Sequence, residues 1–162
     1  MTGRVGLGFD VHPFGGDGPL VLGGVVVDGP GLAGHSDADV IVHAVADALL
    51  GAAGLPDLGT IFPADDERYR DASSIALLRA VAEAVAGEGW RVANVDVVVA
   101  AEQPRLAPHL AEMAAVVREA LAPVRPDAVA VKPKHPEGLG AIGRAEGIAA
   151  WAVALLVTVD EP

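Results

Sequence analysis

Between Val5 and His12, apolar side chains at Val5, Leu7, Phe9 and Val11 alternate with Gly6, Gly8, Asp10 and His12. A period of two is the signature of a β-strand. The apolar set is expected to face a core, which leaves two bare glycines, a carboxylate and an imidazole on the other face. Two short runs, Leu20-Val21-Leu22 and Val25-Val26-Val27, flank Gly23-Gly24 and read as a hairpin. From Ser36 to about Gly51 the apolar spacing becomes helical, with Ser36 expected to cap the first turn and Asp39 to supply the acid of a capping box. A second helix is predicted over 74–86, stopped by Gly87 and Gly89. A strand over 92–100, a third helix over 109–121 and a short strand over 128–132 follow. The segment 148–159 reads as a long buried strand, although its alanines also suit a helix. This order predicts an α+β fold: a single-domain sandwich over 1–162, in which a mixed four-stranded sheet carries helices on one face, plus a small hairpin.

Composition narrows the function classes. The 162 residues suit one domain, and 52% hydrophobic residues give it a sizeable core. Acidic residues outnumber basic ones 22 to 11, so a general nucleic-acid or anionic-membrane binder is not expected. The absence of cysteine excludes disulfides, Cys-zinc sites and thiol nucleophiles. The apolar run over 148–157 is too short to span a bilayer. Arg4 and Asp10 bracket a strand-like stretch rather than a secretory signal, so a cytoplasmic location is expected. Only 4% of residues are aromatic, and a core of small side chains buries little area per residue. Together with the apolar final strand, that favours further burial in an oligomer.

The chemistry concentrates early in the chain. Asp10 and His12, two apart on a strand, emerge from one face. His43 lies in the first helix with Asp39 one turn before it and Asp47 one turn after. One Asp and two His make a set that leaves a fourth zinc position open, and Asp39 or Asp47 can orient the imidazole from behind. Asp-x-His alone is better read as an exposed strand end, and His43 alone still more so as a satisfied helix residue. What tips the balance is that three of the five histidines fall between Asp10 and Asp47. His35-Ser36, just before the helix, offers donors to a phosphate beside a helix N-terminus. The alternative is that Ser36 is only a cap.

Four motifs carry a resemblance to a known family: Gly8-Phe9-Asp10-Val11-His12, His35-Ser36-Asp37-Ala38-Asp39-Val40, the run from His43 to Gly51, and Asp57-Leu58-Gly59. Phe62-Pro63, Asn94-Val95-Asp96, Pro104-Arg105-Leu106 with Pro108-His109, and Gly143-Arg144-Ala145-Glu146-Gly147 extend it over nearly the whole chain. The sequence resembles the 2-C-methyl-D-erythritol 2,4-cyclodiphosphate synthases. The resemblance implies a homotrimer with active sites between subunits, acting in non-mevalonate isoprenoid synthesis. The implied substrate is a cytidine diphosphate compound, 4-diphosphocytidyl-2-C-methyl-D-erythritol 2-phosphate, which a phosphorus–oxygen lyase would cyclise with release of CMP. It further implies zinc or another divalent transition metal on Asp10, His12 and His43, and Mg2+ or Mn2+ held by Glu137 with the substrate phosphates. His35 matches a transition-state donor, and Ser36 a contact to the 2-phosphate region. Asp57, Leu58 and Gly59 would line the methylerythritol site, with Phe62, Asp65 and Asp66 close by. Ala101, Pro104, Arg105, Leu106 and Ala107 match the cytidine and phosphate segment, and Arg144 a further substrate contact.

The loop Lys132-Pro133-Lys134-His135-Pro136-Glu137 departs from the family's common Lys-Ala-Thr-Thr-Thr-Glu. Lys134 and His135 are expected to take over the donor role of the threonines, His135 as a catalytic group, while Pro136 removes one backbone N–H. Ala64 stands where an acid is common, and Ala141-Ile142 where Phe-Thr is common. A non-catalytic or altered-substrate nucleotide-binding homologue and a metal-dependent phosphohydrolase are the competing classes.

Overall fold

The computed structural model describes residues 2–34, 36–63, 65–69 and 72–158. Strands β1 (Gly3–Gly16), β2 (Leu20–Leu22), β3 (Val25–Val27) and β4 (Gly31–Leu32) come first. Helix α1 (Val40–Ala53), the one-turn α2 (Leu58–Ile61), α3 (Ser74–Gly87) and β5 (Trp90–Ala100) follow. The chain ends with α4 (Leu110–Ala120), β6 (Val129–Lys134), the one-turn α5 (Gly140–Gly143) and β7 (Gly147–Thr158). Among the described residues, the main sheet has the order β4-β1-β7-β5-β6, and β2 and β3 form a separate hairpin. β7 is antiparallel to β1 and β5, while β5 and β6 are parallel. The sheet is mixed, as expected, but it has five strands rather than four. The addition is β4, whose two residues are too short to show alternation. Pro133 is accommodated because β6 is an edge strand, where a missing N–H breaks no ladder.

Which face of β1 is covered is the reverse of the expectation. Gly6 and Gly8 turn inward against α1, so close that a Cβ on Gly6 would lie 1.9 Å from the Ala48 carbonyl oxygen. A Cβ on Gly8 would meet the Ala44 carbonyl oxygen at the same 1.9 Å. Ala44, Ala48 and Ala52 recur every fourth residue, so α1 presents a shallow stripe that lets the strand backbone touch the helix backbone. Alternation then sends the apolar set outward: Val5 and Leu7 are each 68% exposed, and Phe9 and Val11 about half. Trp151 and Val153 of β7 share that outer face, with the Phe9 and Trp151 ring centroids 5.1 Å apart. The core lies on the inner face, where Val95, Val97, Val99, Ala150, Ala152 and Leu156 meet α1, α3 and α4.

Helix α1 begins later than the capping pattern suggested. Asp39, not Ser36, is its N-cap and accepts from the amides of Ile41 and Val42. The same fully buried carboxylate accepts from Gly23 N at 2.8 Å and Gly24 N at 2.6 Å. Those glycines form the hairpin turn with φ of 58° and 75°, the left-handed pair of a type I′ turn. One side chain therefore joins the hairpin to the start of α1. Burial pushes the Asp39 carboxyl up to about 6, against the opposing pull of these amides. The predicted third helix and final strand are found within two residues of their expected limits, with Val159 outside the described residues. No described helix is long and apolar enough to cross a membrane.

Candidate functional site

Asp10 and His12 follow Gly6 and Gly8 on the inner face of β1, and His43 lies in the first turn of α1. The close approach of strand to helix brings the three together. Asp10 Oδ2 lies 3.0 Å from His12 Nε2 and 3.0 Å from His43 Nδ1, and the two ring nitrogens are 3.3 Å apart. Burial alone would raise the Asp10 carboxyl, but the hydrogen bonds and charge that His12 and His43 offer it when their rings are protonated outweigh burial and hold the group well below the usual carboxylate range. The same bond to Asp10 raises His12.

His12 Nδ1 is 2.9 Å from the Ala33 carbonyl oxygen. A carbonyl only accepts, so Nδ1 carries the proton of a neutral ring and Nε2 turns its lone pair toward Asp10 and His43. A carboxylate oxygen and two ring nitrogens thus converge, each within 4.8 Å of the others. Facing lone pairs repel unless a proton or a cation sits among them. One oxygen and two nitrogens suit a zinc-like divalent ion, so the residues fit the ion that the sequence reading expected.

The anticipated support for His43 is corrected. Asp39 is spent on backbone amides, and Asp47 accepts from Leu58 N at 2.8 Å. What faces His43 Nε2 is Ser36 Oγ at 3.1 Å and Ser74 Oγ at 2.9 Å. Sequence reasoning missed Ser74 altogether. Its only signal was a Ser-Ser pair at the start of a predicted helix. His35 and Ala64 lie outside the described residues.

A second group of expected residues meets elsewhere at the same end of the sheet. Ala101, Pro104, Arg105, Leu106 and Ala107 follow β5, Lys134 ends β6 and His135 comes directly after it. Together they line a cavity of about 490 Å³. Glu102 and Pro133, which sequence reading did not single out, complete it. The loop after β6 is pinned by Glu102, whose Oε1 lies 3.1 Å from His135 Nε2 and whose Oε2 accepts from Gly138 N at 3.2 Å. His135 Nδ1 accepts from Glu137 N at 3.3 Å, and Glu137 has a φ of 58°. The two bonds hold the amides on either side of that left-handed residue, while the Glu137 side chain stays 82% exposed. None of Asp10, His12 or His43 lines this cavity.

The remaining expected residues spread around these two centres. Asp57 caps α2 through Thr60 N at 2.8 Å, Leu58 is tied to Asp47, and Gly59 sits within α2. Phe62 packs edge-on against Tyr69, and Asp65 and Asp66 follow in the same loop. Arg144, after α5, donates to Glu146 at 2.6 Å. A larger cavity of about 570 Å³, between α3, α4 and the start of β5, lies at the opposite end of the sheet from these groups.

A mixed sheet with helices on one face and an Asp-His-His cluster at one end defines the class. Residues 3–157 match the YgbB family, and the chain belongs to it. It is 50% identical over 155 residues to a 2-C-methyl-D-erythritol 2,4-cyclodiphosphate synthase of Synechococcus sp., covering 95% of this chain and 98% of that one. It is also 55% identical over 155 residues to a bifunctional enzyme IspD/IspF of Anaeromyxobacter sp.. There it covers 96% of this chain but 40% of the relative, so the chain spans about two fifths of that longer protein. Among solved structures, an IspF from Plasmodium falciparum in complex with CDP superposes with a TM-score of 0.84 at 30% identity, over 98% of this chain and 97% of that one. The resemblance read from the motifs is thus to the same family.

Proposed function

We propose that the chain is a phosphorus–oxygen lyase that converts 4-diphosphocytidyl-2-C-methyl-D-erythritol 2-phosphate to 2-C-methyl-D-erythritol 2,4-cyclodiphosphate and CMP. The carrying observation is the convergence of Asp10 Oδ2, His12 Nε2 and His43 Nδ1, with a nucleotide-sized cavity at the same end of the sheet. The relatives named above support it. In the reaction an oxygen of the 2-phosphate bonds to the β-phosphorus, the β-phosphorus–oxygen bond to the CMP phosphate breaks, and CMP leaves with that electron pair. A step of this kind needs positioning and charge neutralisation rather than a protein nucleophile.

Asp10, His12 and His43 would hold a zinc-like ion, which when bound polarises a phosphate oxygen. Glu137 would hold Mg2+ or Mn2+ with the diphosphate, its exposed carboxylate being a hard oxygen ligand. Arg105 and Lys134 supply positive charge at the cavity. His135 offers the diphosphate the same Nε2–H that Glu102 accepts in its absence. Ser36 is assigned its contact to the 2-phosphate region on the motif, and its hydroxyl faces His43 Nε2, on the side of the ring away from Asp10 and His12. His35 is assigned its donor role on the motif alone. Asp57, Leu58, Gly59, Phe62, Asp65 and Asp66 are assigned to the methylerythritol end, and Arg144 to the phosphates.

The Asp-His-His cluster and the cavity share no lining residue, and the outer sheet face is apolar. Both features support a homotrimer in which one subunit's cavity completes its neighbour's metal centre. Residues 1–162 are read as a single domain, and the protein as cytoplasmic. The experiment is a phosphorus NMR spectrum of the product made by purified protein from this substrate. A cyclic diphosphate and CMP are expected. A linear product would instead indicate a phosphohydrolase, and CDP binding without turnover a nucleotide-binding homologue.

A further inference from the structure

The groups behind His43 have a fixed proton order. Ser74 is fully buried as the first residue of α3. Its hydroxyl touches an Asp37 oxygen, His43 Nε2 at 2.9 Å and Ser36 Oγ at 3.4 Å. The Asp37 contact is the closest of the three. A hydroxyl has one proton to give, and a carboxylate can only accept it. The Ser74 backbone amide, donating to the other Asp37 oxygen at 3.0 Å, holds the carboxylate in place for that bond. With its proton on Asp37, Ser74 Oγ can only accept from the ring, so His43 Nε2 carries a proton. Nδ1 is then the bare nitrogen, and it is Nδ1 that faces Asp10 and His12.

We propose that Ser74 and Asp37 are positioning residues that lock the rotation and tautomer of His43, so that its Nδ1 lone pair is presented to a divalent transition-metal ion held with Asp10 and His12. The inference rests on the metal reading of that cluster. The three residues come from the loop before α1, the first turn of α1 and the first turn of α3. The packing of two helix starts thereby sets the direction of one ligand. An acceptor behind a metal-bound imidazole fixes the ring and raises its basicity, and losing such a partner costs about 10–100-fold in metal affinity.

The test is Co2+ affinity of the folded, metal-stripped protein, measured by competition with a chromophoric chelator and paired with circular dichroism. Ser74→Ala should keep its fold and bind Co2+ at least about tenfold more weakly, with an altered Co2+ absorption spectrum. Asp37→Asn should weaken binding, and Ser74→Thr, which keeps the hydroxyl, should restore it to within about threefold. In the zinc-loaded protein the His43 Nε2–H should give an exchange-protected proton resonance in wild type and Ser74→Thr, and lose its protection in Ser74→Ala. Wild-type affinity and an unchanged resonance in folded Ser74→Ala would overturn the relay. A wild type without stoichiometric metal would instead sink the metal reading itself.

Discussion

Asp39 offers the sharpest test of how the site end of the fold is held, because one buried carboxylate satisfies four backbone amides. Asp39→Ala removes the acceptor for Gly23, Gly24, Ile41 and Val42 together. The amides of Gly23, Ile41 and Val42 make their bonds in buried surroundings, while Gly24 is partly open to water. An unsatisfied buried donor costs about 1–3 kcal/mol. At the low end, three of them come to about 3 kcal/mol, with the lost helix cap counted among them. For a domain of this size each kcal/mol moves the midpoint by about 2–4 °C, so a drop of about 6–12 °C is expected. Asp39→Asn keeps one accepting oxygen but turns an NH2 group toward a backbone N–H, and about half of that loss is expected. The assay is thermal and urea unfolding at pH 7.5, above the group's pKa of about 6, so that the wild-type side chain is the carboxylate. The hairpin signals are followed separately by amide exchange, and Gly23 and Gly24 should lose protection first. If Asp39→Ala unfolds within about 1 kcal/mol of wild type with the hairpin amides still protected, the carboxylate is not what joins the two elements.

Three further outcomes follow from the geometry. Gly8→Ala forces a methyl against the Ala44 carbonyl and should cost about 1–3 kcal/mol or more while weakening Co2+ binding, because Asp10 is the next inward residue. Gly51→Ala on the open side of the same helix should be neutral or stabilising, and a Gly8→Ala protein with wild-type stability and metal content refutes the close approach. Because the bond to Asp10 raises His12, protons compete for Nε2 from above the ~6.5 of a free imidazole downward, so the apparent metal affinity should be greatest near pH 8 and weaken as pH falls through that raised value. An apparent Co2+ affinity that is the same at pH 8 and pH 5 would contradict this. Leu7→Asp with Phe9→Asp should turn the proposed trimer into monomers in sedimentation equilibrium, and an unchanged mass would mean that the outer sheet face is not the interface.

Much of this was legible in the residues, and the failures have a common cause. Alternation located β1 and grouped Asp10 with His12, but a period of two defines two faces without saying which is covered. The apolar side was assumed to be inside. The deciding information lay in α1, where Ala44, Ala48 and Ala52 make a surface that only glycines can approach so closely. Ser36-x-x-Asp39 satisfied a capping box on paper, yet tertiary contact with the Gly23-Gly24 turn drew Asp39 to the cap position. His43 was read with Asp39 and Asp47 because helical spacing is local. Ser74 and Asp37 reached it from other elements, and no spacing rule joins residues so far apart in the chain. The cavity residues around Arg105 and His135 came from motif resemblance, whereas Glu102, which anchors the loop, needed coordinates.

Strand β1 carries metal-ligand candidates on one side and an exposed apolar stripe on the other, in strict alternation. A slip of one residue against β7 would exchange the two sides at once. Val5, Leu7, Phe9 and Val11 would be driven into α1, and the glycines, Asp10 and His12 would be left outside. A slip of one residue therefore cannot spoil the centre and leave the outer stripe intact, or spoil the stripe and leave the centre intact. If subunits join through that stripe, association inspects the active-site strand of every copy: misthreaded chains fail to find neighbours and remain available for refolding or degradation. Quality control would then be a property of the strand's own parity, with no separate device needed to enforce it.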